Sequence, residues 1–169
     1  MISQKTVEGI NEQINKELYS SYLYTSMQAY CADISLHGFS NWFAVQAKEE
    51  LFHADKLLKF LIHTGNKISL QKIDEPDSDF INIVDVYEKG LAHEKYVTES
   101  LNKLVDTAEH EKDRAAEIFL EWFITEQVEE EAMFYAILQK LKLVEFPSET
   151  IFNMDKEFGE RKYQNQRLF

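Results

Sequence analysis

Between Ser3 and Leu143 apolar residues recur at intervals of three and four, and a single proline, Pro76, interrupts them. That spacing gathers apolar side chains on one stripe of an α-helix, and a run without proline lets the helix continue for many turns. Four long amphipathic helices are expected. The first starts after Ser3, an acceptable N-cap, and runs to about Ile34, ahead of the turn signal Ser35-Leu36-His37-Gly38. The second starts near Ser40 and ends at Thr64-Gly65-Asn66, where Gly and Asn suit a left-handed cap. The third occupies about Asn82 to His110, with Asp79 as a candidate cap, and the fourth about Arg114 to Leu143 after a polar turn at Glu111 to Asp113. Pro147 stops the fourth helix, Ser148 caps a short fifth one ending near Phe158, and a loosely ordered polar tail is expected from Gly159 to Phe169.

Helices of this length span about 40 Å at 1.5 Å per residue, so their apolar stripes pair lengthwise as a four-helix bundle. The short turns make the first and second helices one antiparallel hairpin and the third and fourth another. Residues 67 to 81 lack helical periodicity and carry the acidic run Asp74-Glu75-Pro76-Asp77, which reads as an extended connection. At about 3.3 Å per residue such a segment reaches roughly 50 Å, the length of the bundle. The second and third helices can therefore lie parallel, joined by one long crossover. The predicted class is all-α, one domain over residues 1 to 169.

The apolar stripes fail at one height. Glu50 and His53 share a helical face with Phe39, Phe43, Leu57 and Phe60, so both ionisable groups fall where the hydrophobic seam should continue. Counting from the two turns puts Glu17 opposite Glu50 and His53, and Glu94 opposite Glu130, with Gln127 a turn away on the fourth helix. Four carboxylates and an imidazole then converge near mid-bundle, with no Lys or Arg on the same seam positions. A buried carboxylate costs several kcal/mol unless it is paired or bound to a metal. Two divalent cations would neutralise this set, and its oxygen-rich donors with one nitrogen suit iron better than a structural zinc. His37, His63, His93 and His110 lie near helix ends or off the seams and read as surface or capping residues.

The formal net charge of -12 disfavours a nucleic-acid backbone as partner and suits attraction of cations. A lone cysteine, Cys31, allows no intrachain disulfide and fits a reducing cytoplasm. The amino terminus has no basic-then-apolar signal pattern, and no apolar run approaches the roughly 20 residues needed to span a bilayer. No membrane partner is expected.

These residues resemble the bacterial non-haem ferritins across essentially the whole chain. The resemblance implies that Glu17, Glu50 and His53 form a first iron site and Glu94 with Glu130 a second, with Glu50 bridging and Gln127 close by. It also implies a third iron site from Glu49, Glu126, Glu129 and Glu130; read without it, Glu129-Glu130-Glu131 is a solvated charge run, and Glu131 stays one. The fourth helix carries Gln127-Val128-Glu129-Glu130 where many di-iron relatives repeat Glu-x-x-His, which separates this chain from bacterioferritins and rubrerythrins. Bacterioferritins place a haem-ligating Met directly after the second-helix glutamate; Leu51 stands there, so no haem is expected. One cysteine cannot supply the cysteine-rich domain of a rubrerythrin, and the fifth helix argues against the small starvation-type ferritins.

The activity so implied is a ferroxidase: dioxygen or hydrogen peroxide oxidises Fe(II) to Fe(III), and ferric oxide collects inside a hollow homo-oligomer of 24 chains. The fifth helix would line four-fold contacts, burying Ile151, Met154 and Phe158 there. Tyr24, on the first-helix seam beyond Glu17, is either a hydrogen-bond partner or electron donor at the centre, or a buried aromatic; Trp122 is a weaker case. Two other readings stay open on the residues alone. An oxidase for an organic substrate needs a pocket beside the metals, where Tyr24, Phe43, Phe123 and Phe134 leave little room. A purely structural bundle would use the polar seam as a register device.

Overall fold

The computed structural model describes residues 2 to 164, and within them the chain forms five helices: α1 (Gln4–Asp33), α2 (His37–His63), α3 (Ile83–Glu111), α4 (Arg114–Lys142) and α5 (Glu149–Gly159). Ser3 caps α1 by accepting from the Thr6 backbone N–H, and Ser148 caps α5 by accepting from Ile151. Gly65, at φ 70, closes α2 in the left-handed region as its position predicts. Lys112 does the same for α3 at φ 61, so the second turn sits where the polar residues placed it.

Two helix starts differ from expectation. The cap of α3 is Asn82, whose side chain accepts from Asp85 N at 3.0 Å, rather than Asp79. Helix α2 begins at His37, three residues before Ser40, although its cap position Leu36 offers no side-chain acceptor. The acceptor comes from α5: Asp155 Oδ1 takes the Gly38 and Phe39 N–H groups at 2.7 and 3.0 Å. Gly38 permits this approach, since a Cβ there would sit 1.5 Å from the Asp155 carbonyl oxygen.

The connection between α2 and α3 climbs along α1. Asn11 donates to Lys67 O at 3.1 Å near one end and Ser26 to Asp77 O at 2.8 Å further along, before Phe80 packs at a tilt against Tyr30. Helices α2 and α3 are therefore parallel, as the length of the crossover allows, while α3 runs antiparallel to α1 from Ser20–His93 to Lys5–Glu111.

Helix α5 folds back on its own bundle. Ile151 and Met154 are buried in the core cluster shared with α1 and α2, and Phe158 packs edge-on against Phe39 at 4.9 Å. The expectation that these three apolar residues await a neighbouring chain is thus corrected; the outward apolar residue of α5 is Phe152. The expectation of a loose tail also fails at its start. Asn41 donates to the carbonyls of Phe158 and Arg161, both at 2.9 Å, and Arg161 turns inward. Residues 165 to 169 of that tail lie outside the described residues.

The core divides into two apolar clusters. One, around Tyr24, Met27, Phe43, Tyr87, Phe134 and Leu138, fills the α5 end. The other, around Ile10, Ile14, Leu57, Leu101, Leu120 and Phe123, fills the opposite end. Between them lies a buried polar layer that crosses all four long helices.

Candidate metal centre

That layer contains Glu17 from α1, Glu50 and His53 from α2, Glu94 from α3, and Gln127 and Glu130 from α4, none more than 4 % exposed. Each replaces an apolar residue in its helical stripe, so the same periodicity that buries leucines carries these groups inward. The register read from the two turns is the register observed.

Ligand atoms of Glu17, Glu50 and His53 all lie within 4.8 Å of one another, and no other group of three among the described residues meets that spacing. His53 Nδ1 faces Glu50 Oε2 at 3.2 Å. Three further buried atoms, Glu17 Oε2, Glu50 Oε1 and His53 Nε2, have no hydrogen-bond partner. A natural interior rarely leaves such atoms unpaired, and these three belong to the same residues whose ligand atoms meet. Two carboxylate oxygens and an imidazole nitrogen are a donor set that a divalent cation takes.

The outer oxygen of Glu17 is fixed by relay. Lys16 donates to Ser100 Oγ, Ser100 to Gln13 Oε1 at 2.7 Å, and Gln13 Nε2 to Glu17 Oε1 at 2.8 Å. A cation on the surface thereby sets the direction of an amide in the core. Around His53 the rings of Trp122 and Phe123 stand edge-on at 5.5 and 6.1 Å and hold the imidazole plane.

The α3–α4 side is tied more fully. Glu94 accepts from the Tyr24 hydroxyl on one oxygen and from Gln127 Nε2 at 3.1 Å on the other. Gln127 also donates to Thr98 Oγ1 at 3.2 Å. Glu130 Oε2 accepts from Gln46 Nε2 at 2.5 Å. Sequence placed Gln127 close to the centre; the structure makes it a tether of Glu94. Tyr24 is both of the alternatives first weighed, a hydrogen-bond partner of Glu94 and a buried ring stacked on Phe134 at 5.6 Å.

Burial raises the proton affinity of every carboxyl in the layer. For Glu50 it does so well above the ordinary range, with Glu94 and Glu17 adding repulsion. Glu130 is pushed up in the same way by burial and then by Glu94 and Glu50. Glu17 and Glu94 also rise through burial, against the pull of His53 and of their hydrogen-bond donors. The interior is therefore an anionic trap that holds protons until a stronger cation displaces them.

Of the residues expected at a third site, Glu130 is buried and Glu49 half-buried. Glu129 faces solvent and Glu126 is half-buried. Glu49 Oε2 accepts from Arg161 Nη2 at 2.7 Å. Arg161 is one participant that sequence gave no reason to select. Gln46 and Gln13 left fainter marks, each a polar residue one turn before a buried glutamate on its own helix. His93 reverses its expected surface role: it is packed against Tyr19 and Tyr24, bonded to Ser20 Oγ at 2.7 Å, and pushed by burial to a pKa of about 4.

Residues 7 to 144 match the family model described as a ferritin-like domain. The chain is 41% identical over 144 residues to a bacterial non-heme ferritin of Campylobacter jejuni, covering 85% of this chain and 86% of that one. It is 37% identical over 163 residues to one from Staphylococcus saprophyticus, covering 96% and 98%. Among solved structures it superimposes on an open pore ferritin from Archaeoglobus fulgidus with a TM-score of 0.94 at 42% identity, over 96% of this chain and 100% of that one. A closed form engineered from that ferritin gives 0.95 at 42% identity, over 97% and 100%.

Proposed function

Since this chain belongs to the ferritin family, whose members store iron, we propose that it is a ferroxidase that oxidises Fe(II) in the buried polar layer and passes Fe(III) to an internal ferric oxide store. The observation that carries this reading is the approach of buried ligand atoms from Glu17, Glu50 and His53 within 4.8 Å of one another, each residue also keeping a buried polar atom without a hydrogen-bond partner. A polar layer serving only as a register device would satisfy its own hydrogen bonds.

Iron is the substrate here. One Fe(II) is taken by Glu17, Glu50 and His53 and a second by Glu94 and Glu130, with Glu50 between them. Each gives up one electron to dioxygen or hydrogen peroxide, and hard carboxylate oxygens favour the ferric product. The chain's own residues bind, orient and exchange protons. Gln13, Gln46 and Gln127 hold one oxygen each of Glu17, Glu130 and Glu94, and the Tyr24 hydroxyl holds the other oxygen of Glu94, which fixes the orientation of the carboxylates. Glu50 and Glu130, the strongest proton holders, release protons as cations arrive. A second site without its own histidine holds iron more loosely, which suits a product that must move on. Glu49, Glu126 and Glu129 would receive it as a third iron site with Glu130, and the absence of a methionine at Leu51 leaves haem out of the account.

An organic substrate finds no place in this reading. Tyr24, Phe43, Phe123 and Phe134 are buried beside the polar layer, and three surface hollows of about 440, 470 and 430 Å³ are lined by outer residues such as Tyr19, Lys112 and Asn66. Assembly into a 24-chain shell is supported by exposed apolar residues at separate places, including Ile81 at 85%, Leu143 at 86% and Phe152 at 74%. No helix among the described residues is long and apolar enough to cross a membrane, and the buried free thiol of Cys31 accords with a cytoplasmic site of action.

Anaerobic addition of Fe(II) followed by air tests the proposal. Well over two irons per chain should be recovered as soluble ferric mineral, and Glu50→Ala or His53→Ala should slow the first oxidation sharply. Precipitation at low loading, or unchanged kinetics in both variants, would refute it. Light scattering of the metal-free protein separately tests the shell, which a small oligomer would exclude.

A further inference from the structure

Arg161 follows α5 and points back into the bundle. Its guanidinium donates to Glu49 Oε2 at 2.7 Å, to Gln46 Oε1 at 2.9 Å and to the Trp42 carbonyl at 3.2 Å. The same group lies 4.7 Å over the Trp42 ring. Gln46 hands the contact on, donating to Glu130 Oε2 at 2.5 Å. One cation therefore engages Glu49 directly and Glu130 through a single amide, and both are oxygen donors of the third iron site proposed above. The ion pair is shielded, with the Arg161 and Glu49 side chains 20% and 17% exposed.

The segment that delivers this cation is anchored without it. Asn41 holds the Phe158 and Arg161 carbonyls, and Asp155 fixes α5 to the start of α2. The guanidinium can therefore swing away while its backbone stays in place, and a side-chain substitution should leave the segment docked.

We propose that Arg161 is a cationic plug that weakens metal binding at Glu49, so that the inner pair fills before the third site. A divalent cation that binds Glu49 beside the guanidinium meets a fixed positive charge and competes for the same carboxylate, so the arginine weakens that binding until it swings away. It also steadies Glu130 through Gln46 while the inner sites load. When iron does move outward, displacement of Arg161 frees Glu49 to receive it. Arg161 is thus a positioning residue that sets the filling order rather than one that touches the reacting atoms. This inference rests on the ferroxidase reading and adds to it a device for ordering the sites.

Calorimetric titration of the assembled, full-length, metal-free protein with Zn(II), which does not change oxidation state, reads the plug without turnover. Two tight equivalents per chain and a weaker third are expected for the parent. Arg161→Gln should bind a third with an affinity raised on the order of tenfold or more, the worth of one charge-assisted hydrogen bond released. Adding Glu49→Gln to that variant should return the count to two, and Arg161→Lys, which keeps the charge, should stay close to the parent. A third equivalent of equal affinity in parent and Arg161→Gln, or none in either, overturns the plug while leaving the two inner sites standing. Failure of the parent to bind two equivalents, with Glu50→Gln no different, overturns the underlying reading and the plug together.

Discussion

Replacing Glu50 by Gln should make the metal-free protein more stable and the metal-loaded protein less so. In the metal-free chain Glu50 is 2% exposed, one oxygen is unpartnered, and its neighbours Glu17 and Glu94 are acidic. Burial and those neighbours raise its folded pKa above the unfolded value of about 4.3. Below that value both states are protonated and the shift costs nothing. As pH rises past it the unfolded chain ionises first, and stability falls until the folded group titrates. Gln has no such dependence. An unsatisfied buried polar group costs about 1–3 kcal/mol, and the amide still leaves some of that unmet, so a gain of about 1–2 kcal/mol is expected at pH 8. For a chain of this size that is a rise of roughly 2–8 °C in Tm. Zn(II) at one hundred times its Kd should add about 2.7 kcal/mol to the parent and far less to the variant. Scanning calorimetry at pH 5 and pH 8, with and without Zn(II) at equal chain concentration, should show the two proteins exchange rank. A Glu50→Gln protein that is less stable without metal at pH 8, or that gains as much from zinc as the parent, would refute the reasoning.

Tyr24→Phe keeps the ring against Phe134 but removes the hydroxyl from Glu94; loss of a hydrogen bond of about 1 kcal/mol should slow the first oxidation roughly fivefold in stopped-flow, and an unchanged rate would remove Tyr24 from the centre. Gly38→Ala drives a Cβ into the Asp155 carbonyl and should undock α5, seen as rapid proteolysis between α4 and the tail; a resistant variant would contradict the described packing. Asp113 accepts from Ser3 N at 3.0 Å and from Thr6 Oγ1, tying the start of α1 to the α3–α4 turn. These donors outweigh burial and hold its carboxyl below the usual range, so its contribution is present above the unfolded pKa of about 3.9 and is lost as pH falls through the folded one. Asp113→Ala should cost about 1 kcal/mol at pH 7 after allowance for solvent screening, about 2–4 °C in Tm, and the deficit should close in acid.

The bundle was legible because a period near 3.6 persists over each long helix, and because two turns and one long connection leave few ways to pair four such helices. The polar layer was legible for the same reason: once Ser35 and Lys112 fix the hairpins, counting outward aligns Glu17 with His53 and Glu94 with Glu130. What stayed hidden arises from partners distant in sequence. Helix α2 starts at His37 because Asp155, far along the chain, supplies the cap that Leu36 lacks. Arg161 stands in a run of charged and polar residues that reads as solvated, and only the docking of α5 aims it at Glu49. His93 lies next to Glu94 and off the apolar stripe, yet the packing of α1 on α3 closes Tyr19 and Tyr24 over it. Periodicity reports which face of a helix is buried, and it is silent on what the intermediate faces meet.

Crystals soaked anaerobically with Fe(II) and measured across the iron absorption edge would locate the metal itself. Two anomalous peaks per chain are predicted within the polar layer, one against Glu17, Glu50 and His53 and the other against Glu94 and Glu130. Iron found only on the outer surface, with the space between the four helices empty of it, would contradict the account.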